Sequence, residues 1–219
     1  MQTFATPAPI TAVLALTAGS VRLVAADRAD TTVEVRPADP AKSRDVKTAE
    51  QTTITYADGV LRVQTPPAGT LGRAGSVAVT VELPSGSRVE AESASSELRG
   101  TGRLGDVRFE GAYRHIKLDE AESVHLTATD GDVEVGRLGG PAEISTARGD
   151  IRITEAVRGK VVLRTQSGGI TIGAAAGVSA TLDAGTSYGR VSNSLKNSGS
   201  AELAIHATTS HGDITAASR

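Results

Sequence analysis

From Val89 to the C-terminus, aliphatic residues recur in pairs that flank one outward position, about once every nine residues. The first members fall at Val89, Leu98, Val107, Ile116, Val124, Val133, Ala142, Ile151, Val161, Ile170, Ala180, Val191, Leu203 and Ile214. Period-two alternation of this kind predicts short strands, with the pair buried and the middle residue exposed. Every second strand follows a turn, at Asp130-Gly131-Asp132, Arg148-Gly149-Asp150, Ser167-Gly168-Gly169, Tyr188-Gly189-Arg190 and His211-Gly212-Asp213, which sets a longer period of 17 to 23 residues. A repeat of that length is a coil that cannot bury its apolar side alone and must stack on its neighbours. The expected fold is all-β: a single-chain parallel β-solenoid (β-helix) of about seven coils spanning residues 84–219. At a strand spacing near 4.8 Å it would be about 34 Å long.

Residues 1–83 alternate less regularly and are expected to form an N-terminal β-hairpin region that caps the solenoid. Ile10–Thr17 and Val21–Ala25 flank Ala18-Gly19-Ser20, which reads as a hairpin turn. Thr32–Arg36 stops at Pro37, and the charged stretch Ala38–Glu50, without an apolar stripe, reads as a loop. Thr52–Tyr56 and Val60–Gln64 flank Ala57-Asp58-Gly59, a second hairpin. Pro66–Gly75 reads as a flexible connection and Val77–Leu83 as a strand.

Stacking aligns the outward residues of successive coils in columns. One column would run Arg99, Lys117, Glu134, Arg152, Thr171, Ser192, Thr215, and the other Glu90, Arg108, His125, Glu143, Val162, Thr181, Ala204. Opposite charges neighbour each other in the first half, and both columns become neutral in the second. The last coils, Ala201–Ala207 and Ile214–Ala217, would then form an open end, unless the loop Asn193–Ser200 folds over it. The expected interaction surface, for self-association or an unknown protein partner, is therefore Val162, Thr171, Thr181, Ser192, Ala204 and Thr215.

Composition narrows the picture. Aromatics are 2% of the chain, with no Trp, two Phe and three Tyr, which suits a thin aliphatic stack better than a compact globule. The formal charge of −2 offers no basic field for nucleic acid, and the absence of cysteine excludes disulfides and thiol chemistry. The apolar stretch Ile10–Ala18 has no Lys or Arg before it and alternates as a strand, so it reads neither as a secretory signal nor as a membrane span, and the expected location is cytoplasmic.

The repeated Thr-x-x-Gly-Asp-Ile/Val-x-Ile/Val phrase, as in Thr129–Val135, Thr146–Ile153 and Thr165–Ile172, resembles the bacterial β-strand-repeat family known as putative adhesins, in an actinobacterial-type member. The opening, with Pro9-Ile10, Ala18-Gly19-Ser20-Val21-Arg22 and Thr32-Val33-Glu34-Val35, is similar to that family's N-terminal hairpin. The resemblance covers nearly the whole chain. It implies a β-solenoid of unknown biochemical role, supplies no catalytic residues, and under its adhesin label implies the cell surface.

Candidate chemistry is sparse. Gly185-Thr186-Ser187-Tyr188-Gly189 matches the nucleophile elbow, but that device needs a following helix, and Gly189 falls in the turn register instead. Asp132, Asp150 and Asp213 could form a calcium-binding column, yet Gly169 and Arg190 break it, and an Asp after a turn Gly commonly satisfies turn amides. His115, His125, His206 and His211 share no metal-ligand spacing. Tyr113 and Tyr188, both read as turn residues, are a thin basis for sugar contact. The function expected is a non-enzymatic scaffold or protein-interaction module without cofactor or metal. The alternatives are a carbohydrate-binding or carbohydrate-active β-helix and a calcium-dependent adhesive module.

Overall fold

The computed structural model describes residues 1–67 and 75–219, and the side chains of residues 112–114 lie outside the description. About 69% of the chain is strand and 4% helix. The elements are β1 (Gln2–Ala5), β2 (Thr11–Leu16), β3 (Gly19–Ala26), β4 (Asp30–Pro37), α1 (Ser43–Gln51), β5 (Thr53–Ala57), β6 (Val60–Gln64) and β7 (Val77–Pro84). The extended run β8 (Arg88–Asp130) follows, turning corners without losing its strand character. Then come β9 (Asp132–Leu138), β10 (Ala142–Arg148), β11 (Ile151–Ala156), β12 (Gly159–Ser167), β13 (Ile170–Ala174), β14 (Ala180–Tyr188), β15 (Val191–Ser194), β16 (Leu203–His211) and β17 (Ile214–Ser218).

Each rung of the stack is two strands joined at a corner, and successive rungs pair in parallel, as expected of a solenoid-like all-β fold. On one side β8, β10 and β12 follow one another, with Val124, Ala142 and Val161 in register. On the other, β9, β11 and β13 align Val133, Ile151 and Ile170. These inward residues are buried to within a few per cent and belong to one apolar cluster running from Ile10 to Ala216. Aliphatic side chains suffice because the two sheets of a rung lie close together; Phe109 is the one fully buried ring among the described residues.

The rungs do not stack in chain order. β12 pairs with β16 and β13 with β17, while among the described residues β14 pairs only with β16 and β15 only with β17. The last rung of the chain is thus inserted between its two predecessors, and the open end is β14 and β15. The expectation that Ala201–Ala207 and Ile214–Ala217 form that end is corrected: both have a neighbour on each side. The same inversion occurs near the N-terminus, where β2 lies between β6 and β8, and β3 between β7 and β8, all in parallel.

Ala18-Gly19-Ser20 is accordingly a rung corner and not a hairpin, since β2 and β3 pair with other strands. A Cβ on Gly19, whose φ is +138°, would lie 1.8 Å from the Val77 carbonyl oxygen, so the corner is packed directly on the next rung. The second hairpin is formed as expected: β5 and β6 pair antiparallel across Asp58 and Gly59, both at positive φ.

The stretch read as a loop contains α1, which escapes an apolar-stripe search because its buried residues are Asp45 and Thr48. The Asp45 carboxylate accepts a 3.0 Å hydrogen bond from the Ser76 amide, which fastens the helix beside β7. At this end β4 pairs antiparallel with β7 and β1 with β4, and the rings of Phe4 and Tyr56 meet at 5.3 Å over the terminal rung. The Pro66–Gly75 connection falls mostly on residues 68–74, outside the described residues.

Candidate interaction surface

The turn motif has a mechanical role. Gly131, Gly149, Gly168, Gly212 and Gly189 form a column at one corner, each after Gly131 stacked on the preceding rung's glycine. A Cβ at Gly149, Gly168, Gly212 or Gly189 would come within 2.0–2.2 Å of that neighbour's carbonyl oxygen. Three threonines of the motif donate to the same carbonyls, buried Thr165 Oγ1 to Gly149, buried Thr209 Oγ1 to Gly168 and half-buried Thr186 Oγ1 to Gly212, at 3.0–3.1 Å, whereas Thr146 Oγ1 donates to the Arg148 carbonyl of its own rung. In the first of these rungs the register partner of Thr146 is Ala128, so Thr129 is displaced by one position from the motif's place.

The aspartates continue the pattern. Asp132 Oδ1 accepts from the Asp150 amide, Asp150 Oδ1 from the Gly169 amide and Asp213 Oδ1 from the Arg190 amide, at 2.7–2.8 Å. Each carboxylate satisfies the next rung's corner rather than its own turn. Gly169 interrupts the column between Asp150 and Asp213. No group of three potential metal ligands occurs among the described residues.

The outward columns differ from expectation in their second half. On the β9 side the order is Lys117, Glu134, Arg152, Thr171, Thr215, Ser192, so Thr215 precedes Ser192. Lys117 Nζ donates to Glu134 at 2.8 Å, and this hydrogen bond holds the Glu134 carboxyl below the usual range. On the β10 side, Val162 aligns with His206 and then Asp183, while Ala204 lies between Lys160 and Thr181. The expected Val162–Thr181–Ala204 column is therefore split by a two-residue offset, because the corner glycines align and Val161 lies two residues nearer to Gly168 than Leu203 does to Gly212. That column is not neutral: His206 Nδ1 lies 3.1 Å from Asp183 Oδ2. The six proposed contact residues remain on the outer faces of the last three rungs, but in two clusters: Thr171, Thr215 and Ser192 on one side, and Thr181, Ala204 and the offset Val162 on the other.

The remaining candidates separate. Ser187 lies exposed on β14, followed by a corner and β15 instead of a helix. His115 is in a strand opposite Asp132 and not in a turn, His125 lies 3.8 Å from Glu143, and His206 is in mid-strand. Tyr188 is at the strand end rather than in the turn, 72% exposed, with its ring stacked on His211 at 5.0 Å and an interplanar angle of 9°. The Tyr113 side chain lies outside the described residues. No helix among the described residues is long and apolar enough to cross a membrane.

Comparison with known proteins agrees with this architecture. A sequence profile described as Toastrack DUF4097 matches residues 13–218. Among solved structures, a "putative adhesin" from Bacteroides fragilis is similar at 14% identity, over 98% of this chain and 95% of that one, with a TM-score of 0.51. A "putative adhesin" from Parabacteroides distasonis is 10% identical over the same shares, with a TM-score of 0.48. A "putative cell adhesion protein" from Clostridium sporogenes is 12% identical over 100% and 98%, with a TM-score of 0.39. No curated protein matches the sequence.

Proposed function

The chain belongs to the Toastrack DUF4097 family, and on that premise we propose that it is a non-enzymatic scaffold or protein-interaction module with an adhesin-like role. In this reading residues 84–219 are the solenoid proper, of about seven coils, and residues 1–83 close one end. The observation that supports it is the run Thr171, Thr215 and Ser192 along three adjacent rungs, a flat uncharged strip next to the Lys117–Glu134–Arg152 column. A regular β face of short hydroxyl side chains presents hydrogen-bonding groups at a fixed pitch with little desolvation of charge. Thr181 and Ala204 provide a smaller counterpart on the opposite face. The adhesin description of the Bacteroides fragilis structure motivates the adhesive form of the role.

The test is affinity capture from native cells followed by mass spectrometry, run with the wild type and with Thr171→Lys/Thr215→Lys. Partners held by the wild type and lost in the variant are expected. Equal capture by both proteins would remove this strip from the proposal, and no specific capture by either would overturn the module reading.

A further inference from the structure

Among the described residues, the large hydrophobic side chains left exposed are Met1, Tyr188 and Val191, and the last two belong to the open rung. Val191 occupies an inward position. Its register partners are Ile214 and, one rung further, Ile170, both fully buried, whereas Val191 is 47% exposed. On β14, Leu182 and Ala184 align with buried Ile205 and Ala207 but are only half-buried themselves. Asn193, the other inward residue of β15, turns its Oδ1 to the Leu195 amide, and on β14 Ala180 is buried where the loop after β15 meets it. This rung is therefore an apolar cross-section that lacks the layer every interior rung has.

Its backbone is open as well. The Leu203 amide donates to the Ser179 carbonyl while the Ala180 amide turns away from β16 to the Lys196 carbonyl, so up to the register break at Ser187 the odd-numbered residues of β14 face β16. Leu182 and Ala184 turn their amides and carbonyls to the free edge. The loop after β15 covers one corner only: the Lys196 carbonyl accepts from the Ala180 amide, and the Ser198 amide donates to Ser179 Oγ. The strand carries none of the usual edge protection by Lys or Pro, and Asp183 is its one charge. At the opposite end Phe4 on β1 and Tyr56 on β5, the outermost antiparallel strands, pack half-buried against the core.

We infer that the β14–β15 end is the docking site for a second copy of this chain, joined end to end about a two-fold axis with β14 antiparallel to its symmetry mate. This deepens the interaction-module reading and rests on it. A single added strand would cover one sheet and leave the other open. The same rung of a second copy brings two strands at the same separation and inward side chains at the same pitch. An isologous contact uses the β14–β15 end of both copies and closes on itself, so the product is a dimer and not a fibre. A nine-residue strand spans roughly 30 Å, and two sheets with their side chains span roughly 20 Å. The end face is then roughly 600 Å² per partner, at the low end of specific interfaces, which predicts a reversible dimer.

Sedimentation velocity over a micromolar to millimolar range tests this on the full chain. The wild type should show monomer and dimer without larger species. Ala184→Pro, which removes an edge amide while leaving the bonds to β16, and Val191→Lys, which places like charges across the junction, should each weaken dimerisation at least tenfold. Unchanged circular dichroism would certify both folds. Thr171→Lys/Thr215→Lys should dimerise like the wild type. A wild type monomeric throughout, a polymer, or a dimer indifferent to both edge variants would overturn the inference. Loss of the dimer in an edge variant with partner capture intact would separate this contact from the lateral strip, whereas a dimer lost on Thr171→Lys/Thr215→Lys would place the contact on the strip and overturn it.

Discussion

At the scale of single residues, the Thr-x-x-Gly-Asp phrase is a device for stacking. The Gly lets two corners touch, the hydroxyl of Thr165, Thr186 and Thr209 binds the carbonyl of the rung before, and the Asp binds the amide of the rung after. Gly168→Ala should therefore be severely destabilising, by more than about 2 kcal/mol, because its Cβ would meet the Gly149 oxygen and its φ is +151°. Gly185→Ala is the control: nothing lies within 4 Å of its Cβ position, and stability should stay within about 0.5 kcal/mol. Equal melting temperatures would refute the corner mechanism. Inside and outside are tested by adjacent residues. Ile151 is 1% exposed, and Ile151→Asp places an unpaired carboxylate in the stack, at a cost on the order of 4 kcal/mol. Arg152→Asp faces water beside Glu134 and should cost roughly 1 kcal/mol or less. Chemical denaturation of the two variants measures the difference.

At the scale of elements, the strands were legible and their neighbours were not. Alternation identified β2, β3, β7 and the repeat strands because burial of one face imposes period two on any strand. It could not say that Ala18-Gly19-Ser20 is a corner, since a hairpin and a rung corner both require Gly. Helix α1 was hidden because a carboxylate and a hydroxyl, not aliphatics, fix it to the body. An ion-pair clip joins the segment after β3 to β4 and β7: Arg28 binds Asp30 through two nitrogens at 3.0 Å and also pairs with Glu82. The Arg28 hydrogen bond, aided by Thr32, holds the Glu82 carboxyl below its usual range. The unfolded chain therefore takes up this proton at higher pH than the folded one. The clip's contribution is present above the ordinary glutamate range, near pH 4.3, and is lost as pH falls through the folded value. Melting curves between pH 7 and pH 3 should fall more steeply for the wild type than for Glu82→Gln; parallel curves would remove the clip from the acid response.

At the scale of the whole molecule, the stack carries a rung out of chain order near each end, and the β14–β15 rung is open. Amide exchange should reflect the spatial order. β16 and β17, although last in the chain, should be strongly protected, and β14 and β15 should exchange faster, because protection follows burial between neighbours and not distance from a terminus. The reverse ranking would refute the inverted rung. The corner carboxylates accept backbone amides, so excess EDTA should leave the melting temperature unchanged; a drop of several degrees restored by calcium would show that the column binds metal.

The sequence alone determined the all-β class, the period of the stack, the inward residues and the Gly corners. All of these follow from local constraints: alternation comes from burial of one face, and a corner that touches its neighbour tolerates only Gly. Only the tertiary structure decided which rung lies next to which. Repeats with near-identical inward residues satisfy one another in any order, so the sequence carries no local preference for placing β16 beyond β14 or beneath it. That choice fixed the register of Val162 on His206, split the expected neutral column, and moved the open end from Ile214 to Val191. The candidate surface inherited the same ambiguity, because an exposed position can be read from a period, whereas its lateral neighbours depend on the order of rungs far apart in the chain.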